Sequence, residues 1–518
     1  MQEKFKIMFN EDPNHHIGEM REARKYMGED FRITEEMERD FVYQYKGTQL
    51  SDYLINVNFM CSAYPSKTRD SYAYRRGKKV QNGVEIDYGD DNEYYNIFIR
   101  DGIDLFAVWI KYFREIGVRP WLSFRMNDCH DSFAKNSFMN SDFFYEHPEY
   151  RRVRHHVPDS YFARCFDYAL KEVQEDMLAY MDESLARYDV DGVELDFMRE
   201  MFCFAPGREY EGIEVMNTYM RTIKKLLQNW EQKRGHKILV NVKLFTLPYQ
   251  VYYSGFDVFT WAKEGLIDTL AVGPRWETVD NDIPIEVWKK IMEPYGVQVG
   301  GALDLILRCH PHGEFYYLNT HETALGSCAQ NLSAGADFTY LFNYMRPNAI
   351  DYSKQLNYPI YQEENYQKLM CNGGELQTAV HSPRRHVVTF HDIEPQWDCW
   401  KLSHLPCRCE EKNTYTQVRA RCGFIPDKSE VTVILGARLI EGEGDIPFDS
   451  FDVYINSTPL TCTRTCDISP YSKFTGYCFS VENTDVLSLA NVIEISSTGD
   501  SKFEVEYVEI RVNAELNN

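Results

Sequence analysis

No run of about eighteen apolar residues occurs in the chain, so it offers no membrane-crossing helix. Its first residues, Met1-Gln2-Glu3-Lys4-Phe5-Lys6, lack the apolar core of a secretory signal, and a cytoplasmic protein with no membrane partner is expected. Positive charge is also short: 56 Lys and Arg stand against 79 Asp and Glu, a net charge of −23. A surface that acidic repels phosphodiester backbones, which excludes nucleic acid as the expected partner. Glycine is missing after the first apolar strand, where Asn10-Glu11-Asp12-Pro13-Asn14 replaces the phosphate-cradling turn of a nucleotide-binding sheet. There is no Gly-x-Ser-x-Gly and no Cys-x-x-Cys. The fourteen cysteines are spread widely, and the segment from Cys399 to Cys478 holds seven, an odd number, so free thiols are expected. No cofactor and no metal are called for.

What is present is 518 residues with 44% hydrophobic and 26% charged side chains, enough for one large core and a second, smaller one. Eight short β-rich runs alternate with helical stretches: 5–9, 53–60, 118–124, 190–197, 238–244, 269–273, 297–303 and 338–342. The stretches between them carry apolar stripes, such as Phe166, Leu170, Val173, Met177, Met181, Leu185 and Ile213, Met216, Met220, Ile223, Leu227. The pattern predicts an α/β fold, a (β/α)₈ barrel over residues 1–384. A helix over 357–377 is expected to close it. From about 385 the texture changes to strict alternation, as in Val431-Thr432-Val433-Ile434-Leu435, which predicts an all-β sandwich over 385–518.

A barrel of this kind holds its active site at the C-terminal ends of its strands. The fourth strand reads Val190-Asp191-Gly192-Val193-Glu194-Leu195-Asp196-Phe197-Met198-Arg199-Glu200. Alternation puts Glu194 and Asp196 on one face and Val193, Leu195 and Phe197 on the other, so both acids point into the barrel if the apolar set meets the helices. Two close acids in a low-dielectric cleft push their pKa values apart, the division of labour that glycosidic cleavage needs. Other strand ends add Asn58 from the second, and Arg125, Asn127, Asp128 and His130 from the third. Arg199 follows the fourth, Asn241 and Lys243 lie on the fifth, and Arg275, Trp276 and Glu277 follow the sixth. Asp304 ends the seventh strand, and Asn343 and Tyr344 the eighth. Such a ring of Asn, Asp, Arg and aromatic side chains suits a polyhydroxylated ligand, with Trp121, Trp276, Tyr64 and Tyr344 as candidate stacking platforms. The aromatic, basic insertion over 138–154 would wall one side of the cleft or pack on itself. Two rivals remain open: a metal-dependent sugar isomerase or lyase using Glu194, Asp196, Asp304 and His130 or His310, and a carbohydrate-binding barrel without catalysis.

Strand four resembles the glycoside hydrolase barrels. Asp191, Gly192, Glu194 and Asp196 are in register with the chitinase-like pattern Asp-Gly-x-Asp-x-Asp-x-Glu, with Met198 where that pattern has its acid. Together with His147-Pro148-Glu149-Tyr150-Arg151, the motif is similar to a group of bacterial glycosyl-hydrolase-like barrels with C-terminal β domains. The resemblance implies a glycosidase acting on a glycoside or oligosaccharide, alone or as a homo-oligomer. By likeness to α-galactosidase-related barrels it implies Asp196 as nucleophile, with Glu277 or Glu194 as the acid and Asp304 as a further choice. Asn58, Arg125, Asn127, Asp128, Arg199, Arg275, Trp276, Asp304, Asn343 and Tyr344 are the expected substrate-binding residues.

Overall fold

The computed structural model describes residues 4–28, 30–71, 78–81, 84–87, 95–133, 137, 139–153, 161–275, 279–310, 317–344, 363–390 and 403–513. Eight parallel strands close into a barrel: β1 (Ile7–Glu11), β2 (Leu50–Asn56), β3 (Arg119–Arg125), β4 (Gly192–Asp196), β5 (Leu239–Leu244), β6 (Thr269–Val272), β7 (Gln298–Asp304) and β8 (Phe338–Phe342). Each pairs with its neighbours in sequence, and β8 returns to β1 with Ile7 opposite Thr339 and Asn10 opposite Phe342. All eight expected strands are present. Their ends differ where a side chain ends the ladder: beyond Asn56, the Asn58 amide donates to the carbonyls of Phe59 and Arg125 and accepts from the Arg125 amide, so β2 stops short of residue 60.

Helices pack around the barrel through the expected stripes. In α1 (Lys171–Arg187), Val173, Met177, Met181 and Leu185 are buried; in α2 (Glu209–Arg234), Ile213, Met216, Met220, Ile223 and Leu227. Gly235, at φ +81°, ends α2 in a left-handed turn. After β5 come α3 (Pro248–Tyr253) and α4 (Val258–Lys263), the latter capped by Asp257, which accepts from the Thr260 amide at 3.1 Å. Next are α5 (Ile285–Met292) and α6 (His321–Ser333). Of the helix expected over 357–377, residues 357–362 lie outside the described residues; Glu363–Asn372 is helical and packs against α6, and the chain then turns at Gly373-Gly374 into a separate short helix, Leu376–Val380. No described helix is long and apolar enough to cross a membrane.

The rest of the chain forms separate antiparallel sheets. Those used below are β9 (Arg384–Val387), β10 (Cys407–Cys409), β11 (Thr416–Arg421), β12 (Glu430–Leu439), β13 (Phe451–Ile455), β14 (Thr458–Leu460), β15 (Cys462–Cys466), β16 (Thr475–Ser480), β17 (Ala490–Ser497) and β18 (Phe503–Asn513). One sheet runs β9-β18-β12-β16-β15 with β10 also on β18; the other runs β11-β17-β13-β14. A single buried cluster draws Val433, Leu435 and Val505 from the first sheet and Val418, Val453 and Ile493 from the second. The opposite face of the first sheet sends Ile434, Cys478 and Tyr507 into the barrel's own core. None of the thirteen cysteines among the described residues is joined in a disulfide; Cys399 lies outside those residues.

Candidate active site

Alternation on β4 turns Val193, Leu195 and Phe197 to the helices and Glu194 and Asp196 inward, where both are fully buried. The barrel interior is layered. Its floor is apolar and includes Met8, Leu54, Trp121, Leu239 and Phe338. Trp121 lies flat over Gly192, where a Cβ would sit 2.2 Å from the ring. The indole N–H donates to Asp52 at 2.7 Å, so Trp121 is a core residue and not a sugar platform. Tyr64, bonded to Ser184 at 2.8 Å and stacked on Tyr180, is likewise buried, as is Tyr344.

Glu194 occupies the middle layer. Its Oε1 accepts from Asn10 Nδ2 at 2.5 Å and Ser123 Oγ at 2.7 Å, and its Oε2 from Asn241 Nδ2 at 2.7 Å. Four strands therefore meet on one carboxyl group. Burial, then the charge of Asp196, raises its pKa to about 7 against the pull of Lys243 and Ser123.

Asp196 ends β4 one layer higher. Its Oδ1 accepts from the Met198 amide at 2.9 Å, while Oδ2 is buried with no hydrogen-bond partner among the described residues. Opposite it on β5 stands Lys243, 1% exposed, whose ammonium has no hydrogen-bond partner among the described residues and lies 3.3 Å above the centre of the Phe342 ring. Burial pushes the Lys243 pKa down, and Asp196, Glu194 and Asp304 oppose that. The mouth thus holds the Asp196 carboxyl and the Lys243 amine facing across neighbouring strands and not bonded to each other. Sequence reasoning noticed Lys243 only as a strand-end residue. Its parity with Asn241 was the available sign that it points inward.

The rim is more tightly bonded. Arg125 is clamped by Asp12 at 2.8 Å and Asp128 at 3.3 Å and lies 4.5 Å above the Phe59 ring. His130 bonds Asp128 at 2.8 Å, and the Asp128 carboxyl is held far below the usual carboxylate range by His130 and Arg125, which outweigh burial. Asn127 donates to the carbonyls of Phe166 and Phe202 and accepts from the Phe166 amide. Its amide joins the β3 loop to the β4 loop, just as that of Asn58 joins β2 to β3. Glu200 pairs with Arg275 at 2.7 Å, linking the loops after β4 and β6. Arg199 faces the Phe342 ring at 5.4 Å. Asp304 Oδ1 accepts from the Leu305 amide at 2.5 Å, and Asn343, at φ +46°, accepts from the Asp12 amide at 3.0 Å. Trp276 and Glu277 lie outside the described residues.

The insertion after β3 packs on itself: Phe143 meets Tyr150 and Phe166, and Arg151 lies 3.9 Å over the Phe144 ring. It also lines a small cavity with Phe59, Arg125, Asn127 and Asp128. The histidines proposed as metal ligands go elsewhere, His130 to Asp128 and His310 to Glu506 at 3.8 Å. Among the described residues no group of three His, Cys, Asp or Glu side chains gathers at metal-binding spacing.

No family model matches the sequence, and no curated protein matches it. Solved structures similar to it include alpha-L-fucosidase isoenzyme 2 from Paenibacillus thiaminolyticus, at 12% identity and TM-score 0.41, covering 73% of this chain and 50% of that one. The chain therefore spans half the length of that protein. An alpha-fucosidase from Thermotoga maritima matches at 9% identity and TM-score 0.35, over 95% of each chain. The PgaB (BpsB) glycoside hydrolase domain from Bordetella bronchiseptica matches at 9% identity and TM-score 0.39, over 72% of this chain and 99% of that one. The closed eight-stranded parallel barrel described above rests on its own strand register rather than on these likenesses.

Proposed function

We propose that the barrel mouth hydrolyses a glycosidic bond by a two-carboxylate mechanism, with Asp196 as nucleophile or as electrostatic stabiliser of an oxocarbenium-like centre. One observation carries this reading: Asp196 ends an inward-facing strand with one oxygen fixed by a backbone amide and the other buried and unbonded. A buried carboxylate oxygen left without a partner costs stability unless a ligand completes it. Lys243 supports the same reading, as a donor for a substrate hydroxyl beside Asp196.

Glu194 is saturated by three donors and lies below Asp196, which suits a group that sets the field at the nucleophile rather than one that reaches the leaving oxygen. The proton donor is then Glu277, in the loop after β6, or Asp304. Arg199, Asn343 and the Arg125–Asp128 clamp would border the sugar. The shared apolar cluster between the two antiparallel sheets supports a sandwich over 385–518 that buttresses a catalytic barrel over 1–384.

A panel of nitrophenyl glycosides, with NMR of the first-formed anomer for any hit, tests the proposal. Asp196→Asn is expected to lower kcat/KM by about a hundredfold or more with the fold intact. Turnover retained in that variant removes Asp196 from the mechanism. A second reading, a sugar-binding barrel without catalysis, is favoured by the buried Met198 where the chitinase-like pattern has its acid. Tight sugar binding with no hydrolysis of any aryl glycoside would support it.

A further inference from the structure

Four large tyrosines are exposed together on the elements that follow β4 and β5. Tyr210, in the first turn of α2, is 57% exposed, and Tyr249, Tyr252 and Tyr253 of α3 are 53%, 40% and 47% exposed. Three of the rings form a group, with Tyr210 and Tyr253 centroids 5.5 Å apart and Tyr253 and Tyr249 6.5 Å, while Tyr252 lies beside Phe259 at 6.4 Å. Solvent-exposed aromatics scattered singly need no explanation, but a contiguous set marks a surface that something covers.

The arrangement is built rather than incidental. The Phe204 ring is sandwiched between Gly212 of α2 and Gly255 just after α3, and a Cβ at either glycine would come within 2.6 Å of that ring. Two side-chain-free positions thus let the start of α2 and the end of α3 close on a single buried ring, which brings Tyr210 beside Tyr253. Phe204 is itself fixed, its carbonyl accepting from Arg152 Nε at 2.7 Å.

Placement and chemistry identify the occupant. Both segments lie beyond the C-terminal ends of β4 and β5, the strands that carry Asp196 and Lys243, so the tyrosines stand at the mouth end of the barrel on the same side as those residues. A phenol presents an apolar face to sugar C–H groups and a hydroxyl to sugar oxygens. Polyanions and anionic lipid are disfavoured by a net charge of −23, and Arg208, the nearest basic residue in the chain, is paired with Glu211. We propose that Tyr210, Tyr249, Tyr252 and Tyr253 form a binding platform for a neutral polysaccharide chain running out of the barrel mouth. This extends the glycosidase reading above from a single sugar unit to a polymeric substrate, and rests on it.

Native electrophoresis of the full chain in gels containing galactomannan, xyloglucan, arabinoxylan or mixed-linkage β-glucan tests the platform, with serum albumin as the mobility reference. At least one polysaccharide is expected to retard the protein. Tyr210→Ala/Tyr253→Ala should weaken that retardation by at least about tenfold in apparent Kd while the circular dichroism spectrum and Tm stay close to those of the parent. Asp196→Asn should remain retarded, so platform binding and hydrolysis fail separately. The proposal is overturned if no polysaccharide retards the parent, or if the folded double variant is retarded equally. It is also overturned if sedimentation shows the double variant breaking a dimer, which would make this face a contact between copies.

Discussion

Lys243 and Asp196 each bury a polar atom that has no hydrogen-bond partner among the described residues, an arrangement a fold keeps at a cost in stability. Lys243→Met should lower kcat/KM at least about tenfold on any glycoside the protein cleaves, and should destabilise the fold in urea unfolding because Glu194 and Asp196 then lose the buried cation beside them. Unchanged kcat/KM in a destabilised variant would mean that the ammonium is structural only. Glu194 offers a test in pH. Its folded pKa of about 7 lies above the ordinary 4.5, so its contribution to stability is complete below about 4.5 and is lost as pH rises to about 7. The unfolding free energy of the parent relative to Glu194→Gln should fall across that window and be level outside it. A constant difference from pH 4 to 8 would show that Glu194 does not titrate there. The inward direction of Glu194 and Asp196 was legible from parity on a single strand. Their unequal bonding was not, because Asn10, Ser123 and Asn241 arrive from three other strands.

Among the elements, β4 and β7 give up side chains so that their neighbours can fill the barrel. Gly192 makes room for Trp121, and Gly300 for Phe338, whose ring would lie 2.1 Å from an added Cβ. Gly192→Ala is expected to cost about 1–3 kcal/mol, read from the denaturant midpoint, and Trp121→Leu should recover part of the loss in a double-mutant cycle. Additive costs would mean that the ring moves aside freely. The eight strands were readable because β-rich apolar runs and helical stripes alternate along the chain. Their ends were not, since β2 is cut short by the Asn58 amide bonding to neighbouring backbone. Trp121 shows the same limit: a strand-end tryptophan and a barrel-floor tryptophan look alike until its glycine partner on the next strand is in place.

At the scale of the molecule, the antiparallel sheets are not loosely appended. The Tyr471 hydroxyl donates to the Leu318 carbonyl at 2.9 Å, and Arg421 bonds Asp282 at 2.9 Å and Glu286 at 3.0 Å across the junction. Ile434, Ile468 and Tyr507 share the barrel's apolar core. Calorimetry is accordingly expected to show one unfolding endotherm for the whole chain, and two well-separated ones would refute that coupling. The change of texture near 385 announced a second kind of architecture, whereas the docking of one on the other was invisible, because it joins residues distant in sequence, such as Gln330 with His386 and Asp282 with Arg421. Ring closure carries a consequence for synthesis. The first strand pairs with the eighth, Ile7 opposite Thr339 and Asn10 opposite Phe342, so its outer edge has no mate until residue 342 has left the ribosome. At ordinary translation rates that is a wait of roughly 20–60 s, through which a nascent chain carries an open sheet edge and a bare apolar floor, a natural client for a chaperone.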